Sequence, residues 1–177
     1  MTASSEDTSA TEKATDSEFV ITRVLDVPRD LVWKAWTRAE RLAQWWGPKG
    51  FKIHVARLDF RPGGVFHYSM EAGNGHTMWG KFVYCEIAAP ERMVFVSSFS
   101  DEAGNITRAP FFDGGWPLEV RNTLTLIERD GTTTLTLRGG PINATEDERK
   151  TFEANFDSMR QGFRGTFDQL AEYLAKA

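Results

Sequence analysis

Hydrophobic positions recur along the chain in two rhythms, one of two residues and one of three to four, and their order predicts the elements. Phe19–Val27 (FVITRVLDV) is rich in β-branched residues and predicts a first strand. Pro28 suits the start of a helix, where a missing N–H costs nothing. Leu31, Val32, Ala35 and Trp36 then recur at helical spacing and predict a short helix from about 29 to 36. Thr37-Arg-Ala-Glu40 has the form of a capping box and predicts a second short helix through Leu42 and Trp45, ended by Gly47-Pro48.

From residue 51 to about 138 the pattern is strand, turn, strand. The predicted strands are Phe51–Phe60, Val65–Met70, Thr77–Ala88, Arg92–Phe99, Leu118–Arg129 and Thr132–Arg138. Asp130-Gly131 between the last two is a two-residue hairpin signal. Short connections imply antiparallel neighbours. Ser100–Trp116 predicts a long loop, the kind that often serves as a lid or binding element.

Thr145-Glu-Asp-Glu148 is a second capping box with acids in the first turn, where the helix dipole favours them. Behind it Phe152, Phe156, Met159, Phe163, Phe167, Leu170 and Leu174 step by four or three. They form one apolar stripe on a single helix of nearly thirty residues, about 45 Å long. No other predicted helix matches it, so the stripe must pack on the sheet and the sheet must curve. The fold class expected is α+β. About seven antiparallel strands wrap a long C-terminal helix, with two short helices after the first strand.

Thirteen Phe and six Trp exceed what a compact core of this size needs, which leaves some free to line a cavity. Residues 1–17 carry Ser, Thr, Ala and acids with nothing large to bury, so they are expected to be a disordered tail before a single domain at 18–177. That tail holds Glu6, Asp7, Glu12 and Asp16 against Lys13, three of the four net negative charges. The near-neutral remainder has no basic stripe, which argues against a nucleic-acid partner. No apolar run approaches the length of a membrane span and the N-terminus does not read as a secretory signal, so a cytoplasmic location without membrane contact is expected. Cys85, the only cysteine, excludes an intrachain disulfide and reads as a small buried hydrophobe.

Candidate chemistry is sparse. His54, His67 and His76 have no metal-ligand spacing, and neither a metal nor a cofactor is expected. Glu71, Glu86 and Asp113 offer carboxylates that nothing in the sequence brings together. His67 is either a satisfied interior histidine or a polar point in a pocket. Of Trp45 and Trp46, one is expected to plug the core while the other, Trp46, faces the cavity mouth. Gly162 and Gly165 thin the helix beside Phe163, either for cavity volume or for close packing against another backbone. Glu119 and Arg121 are expected on the outer face, which turns Asn122 inward. The expected ligand-binding set is Trp46, His67, Trp79, Phe95, Phe112, Trp116, Asn122, Met159 and Phe163.

Four segments carry a resemblance: ITRVLDVPRDLVWKAWT at 21–37, LAQWWGP at 42–48, DFRPGG at 59–64, and Gly80 followed by Ile87-x-x-Pro-Glu-Arg92. Over roughly residues 18–175 the chain resembles the bacterial AHSA1-like family, named after the activator of Hsp90 ATPase. That family lies in the START-like, Bet v 1-like helix-grip (SRPBCC) superfamily. The resemblance implies a cavity between sheet and C-terminal helix that holds a small hydrophobic molecule. It also implies two alternatives: a polyketide cyclase or dehydratase with His67 or Glu71 as general base, or a chaperone- or stress-associated interaction module. Non-enzymatic binding is the leading expectation, by a monomer or homodimer. The eukaryotic activator has a separate N-terminal domain where this sequence has a seventeen-residue polar tail, a departure that argues against activation of Hsp90.

Overall fold

The computed structural model describes residues 18–176; the expected tail at 1–17 lies outside them. Strand β1 (Phe19–Leu25) leads into helices α1 (Arg29–Thr37) and α2 (Ala39–Trp45). Strands β2 (Lys52–Leu58), β3 (Val65–Glu71), β4 (Thr77–Ala88) and β5 (Arg92–Ser100) follow, then a short β6 (Ile106–Thr107). Strands β7 (Glu119–Arg129) and β8 (Thr132–Ile142) precede helices α3 (Glu146–Ala154) and α4 (Phe156–Lys176).

The sheet order is β1-β8-β7-β5-β4-β3-β2, with β6 attached to β5, and every pairing is antiparallel. Asp130 and Gly131 both take positive φ, 52° and 79°, which matches the twist of the hairpin they close. The strand period of two then sorts the sheet's faces. Phe66, Tyr68 and Met70 of β3 share the inner face with Phe82 and Tyr84 of β4, Phe95 of β5, and the leucines 124, 126, 135 and 137 of β7 and β8. Against this face pack Trp36, Leu42 and Trp45 from the short helices and Phe167, Leu170 and Leu174 from α4, all nearly fully buried. Each such side chain contributes on the order of 1.5–3 kcal/mol by leaving water.

Three local expectations are corrected. The C-terminal helix is two helices, broken at Asn155 (φ −108°, ψ 14°), whose side-chain amide donates to the Thr151 carbonyl at 2.7 Å. The break divides the apolar stripe, so Phe152 and Phe167 are fully buried while Phe156, Met159 and Phe163 are only partly so. Thr37 caps nothing; it ends α1, and its hydroxyl donates to the Trp33 carbonyl at 2.9 Å, so α2 starts without a side-chain cap. Cys85 is exposed, because the pairing of β4 with β5 slips between Tyr84 and Glu86 and turns the bulged residue outward. The capping box at Thr145 does form, with both reciprocal bonds to Glu148. No helix among the described residues is long and apolar enough to cross a membrane.

Candidate functional site

The site begins where α2 ends. Trp45 stays in the core, its indole N–H donating to the Ala35 carbonyl at 3.0 Å. Trp46 leaves the helix with extended backbone, and Gly47 follows at φ +97°, in the left-handed region that glycine favours. A Cβ at Gly47 would also stand 2.5 Å from Ile53 Cδ1. The corner is fastened to α4: Thr166 Oγ1 and Gln169 Nε2 both donate to the Gly47 carbonyl, at 3.0 and 2.7 Å. Trp46 thereby lies edge-on against Tyr68 and Phe82 on the inner face.

Between this corner, β3 and α4 lies a cleft of about 330 Å³ that is open to solvent, not an enclosed internal cavity. Its walls are almost wholly apolar. Trp46, Gly47 and Pro48 form one side, Tyr68 and Met70 the floor, and Met159, Gly162, Phe163 and Thr166 the helix side. Thr166 adds little polarity because its hydroxyl is spent on Gly47. Phe111, from the segment between β6 and β7, stands at the mouth and is 42% exposed.

Tyr68 and Met70 also wall a smaller recess of about 110 Å³, shared with Gly80, Ser97, Trp116 and Val120. Gly80 is paired with Tyr68 across the strands, and a Cβ there would lie 2.7 Å from the Tyr68 hydroxyl oxygen. The absent side chain lets the phenol lie across β4. Burial pushes the Tyr68 hydroxyl up to about 12, a shift that the neighbouring Trp46 indole opposes. That indole N–H is close to Tyr68 but not in hydrogen-bonding geometry, and it is buried without an acceptor among the described residues. Tyr68 therefore keeps its proton at neutral pH and can donate. Ser97 is positioned by Asn122, whose amide donates to Ser97 Oγ at 2.9 Å and to the Val120 carbonyl at 3.0 Å.

The segment over the mouth is tied down by Arg108, which donates to the Gly114 and Trp116 carbonyls and to the Glu148 carboxylate. The Thr145 backbone N–H, and after it Arg108, hold the Glu148 carboxyl below the usual carboxylate range. Phe112 and Asp113 both adopt positive φ, 60° and 48°, a strained pair that aims Phe112 back to stack on Trp116 at 5.4 Å. Phe111 then meets Phe99 and Phe112 edge-on.

The expected site residues therefore separate. Trp46, Met159 and Phe163 line the cleft, Trp116 lines the recess, and Asn122 reaches the recess through Ser97. Phe95 lies in the core, stacked on Phe82 at 4.2 Å, and Phe112 is outside on the mouth segment. His67 and Trp79 are on the opposite face of the sheet, stacked on each other at 4.9 Å, with His67 Nε2 3.1 Å from the Asp101 carbonyl. Tyr68, Met70 and Phe111 were not among the expected residues. The signal for the first two was present, since the inward Phe66 passes its parity to residues 68 and 70 and denies it to 67. Among the described residues no three His, Cys, Asp or Glu side chains group as they would to hold a metal.

Comparison with known proteins follows this geometry. No curated protein matches the chain in sequence. Among solved structures, a protein from Arthrobacter aurescens is 25% identical, with TM-score 0.76 over 92% of this chain and 88% of its own. Protein Ms6760 from Mycobacterium smegmatis is 22% identical, with TM-score 0.74 over 93% and 96%. DynU16, from the dynemicin biosynthetic locus, is 20% identical, with TM-score 0.63 over 91% of this chain and 48% of its own. The last two likenesses are of fold alone. The model of one family matches residues 26–175, most of the chain. The protein belongs to the family described as activator of Hsp90 ATPase homolog 1-like protein.

Proposed function

We propose that the protein binds a small, largely apolar molecule in the cleft between β3 and α4, oriented by the Tyr68 hydroxyl and by Ser97 in the adjoining recess. The observation that carries this reading is the wall chemistry: about 330 Å³ of space lined almost entirely by carbon, beside one buried phenol held as a donor. That size and that ratio of apolar wall to fixed polar points are what small-molecule sites present. Chemistry on the ligand has less support. His67 lies on the far face of the sheet and Glu71 is exposed at the end of β3. Among the described residues the cleft holds no group other than Tyr68 that titrates, and a phenol near 12 is a poor base at neutral pH.

Native mass spectrometry of the protein purified from its own host tests the reading. A retained small molecule of defined mass is expected, and a mass equal to the bare chain, with no apolar compound raising the melting temperature, would refute it. Tyr68→Phe isolates the polar point. The variant is expected to fold normally, because no residue accepts from that hydroxyl in hydrogen bonds seen among the described residues. It is expected to weaken a ligand that carries an oxygen acceptor by about 2- to 10-fold, the net worth of one hydrogen bond. A ligand of pure hydrocarbon should bind both proteins equally in the same titration.

A further inference from the structure

The cleft occupies one flank of α4, and the other flank carries a groove of different character. It measures about 410 Å³ and runs between β1, from Val20 to Arg23, and the Arg160, Arg164 and Asp168 side of α4. Among the described residues β1 is the end strand of the sheet and bonds only to β8. In an antiparallel strand each residue points its N–H and C=O to the same side, and alternate residues point away from the neighbour. Val20 is one of these, because its carbonyl accepts from Arg160 Nη2 at 3.5 Å. Thr22, two residues on, shares that orientation, so backbone donors with no strand partner among the described residues line the groove beside the arginines.

The charges here do not balance. Arg23 pairs with Asp168 at 2.8 Å, and Lys49 reaches the other oxygen of the same carboxylate at 3.5 Å. That one carboxylate faces three guanidinium groups in the groove wall, Arg23, Arg160 and Arg164, which leaves two positive charges uncompensated. Arg160 has a contact with Asp157 at 3.6 Å, but Asp157 is fully exposed and such pairs contribute little. Arg164 has no hydrogen bond or ion pair among the described residues. Arg160 and Arg164 are four residues apart on one helix face, an arrangement of like charges that costs an isolated helix a few tenths of a kcal/mol. Arg160 is nonetheless held in place, over the Phe19 ring at 5.4 Å and against the Val20 carbonyl. In a chain with a net charge of −4, one guanidinium fork held in place, a second one turn along the same helix, and backbone N–H groups without a partner among the described residues together have the chemistry of an oxyanion clamp.

We propose that the β1–α4 groove is an anion-binding site, in which Arg160 and Arg164 grip the carboxylate or phosphate group of a small molecule. The site is separate from the apolar cleft and does not depend on what the cleft holds. The test titrates the full chain at constant ionic strength with inorganic phosphate and, in a second arm, with succinate. It follows the backbone amides of Val20 and Thr22 and the side-chain Nε–H signals of Arg160 and Arg164 by NMR. Saturable shifts at those four residues are expected, and the arm that saturates at lower concentration identifies the oxyanion. Arg164→Gln is expected to weaken binding by about tenfold or more, the scale of one charge-assisted hydrogen bond. The exposed Arg164 makes no contact whose loss would disturb folding, and Arg129→Gln on the distant β7–β8 hairpin is expected to leave binding unchanged. Shifts that never saturate in either arm, or an affinity that Arg164→Gln and Arg129→Gln lower equally, would overturn the proposal.

Discussion

Gly162→Leu is expected to stabilise the protein and at the same time abolish its capacity for an apolar ligand. Gly162 lies inside α4 and lines the cleft, and a Cβ built on it meets nothing within 4 Å. A helical glycine costs roughly 0.8–1 kcal/mol relative to a good helix former, and leucine is one. The melting temperature should therefore rise by about 2–4 °C for a chain of this length. The same side chain would project between Met159 and Thr166 into the space a ligand needs, so affinity should fall by more than about tenfold, or 1.4 kcal/mol. Gly165→Leu is the matched control. Its Cβ would rest at 3.5 Å on the aliphatic stem of Lys49, outside the cleft, and should leave affinity within about twofold of the parent. Thermal melts and dye titrations of the two variants separate the cases. Unchanged affinity in Gly162→Leu would place the ligand elsewhere.

Phe167→Ala is expected to cost about 3–5 kcal/mol, the range for a large side chain deleted from a packed core. Phe167 has no exposed surface and sits between Trp36, at 6.4 Å between ring centroids, and Phe163, at 5.7 Å. With total stabilities of about 5–15 kcal/mol, that is about a fifth or more of what holds a typical domain together. Phe163→Ala should cost less than half as much, because one side of its ring faces the open cleft and only the other packs on Phe19 at 5.7 Å. Urea denaturation of the two variants measures the difference. Equal, large losses would mean that Phe163 is packed on all sides and that no open cleft borders its ring.

Much of the architecture is readable because the strands obey a period of two and the turns carry their own chemistry. Asp130-Gly131 and the Thr145 capping box behave as their residues dictate. The break at Asn155 was hidden, because the apolar spacing runs through it unchanged and only the amide's bond to Thr151 reveals it. The Thr37 box failed for a different reason: Thr37 is still the last residue of α1, its hydroxyl turned back to the Trp33 carbonyl, and Arg38 takes the N-cap position of α2. At the site, the helix side was legible from Met159 and Phe163, and the Trp-Trp-Gly-Pro corner marked its far wall. The sheet side was misjudged by one residue, since the imidazole of His67 drew attention that the alternation assigns to Tyr68 and Met70. Phe111 had no periodic signal at all. Its place at the mouth depends on the Arg108 tethers and the left-handed turn at Phe112 and Asp113, which are tertiary facts.

The methionine methyl groups offer the most direct test of the cleft as a ligand site. Met70 and Met159 line it, whereas Met93, 1% exposed, lies in the core and Met78 lies outside the cleft. Nile red is a suitable probe because it is neutral and cannot be drawn to the arginine groove by charge. In a titration of methyl-labelled protein, Met70 and Met159 are expected to shift together and saturate with the dye's fluorescence, while Met93 stays fixed. Saturating fluorescence with Met70 and Met159 unmoved would contradict the assignment of the cleft as the binding site.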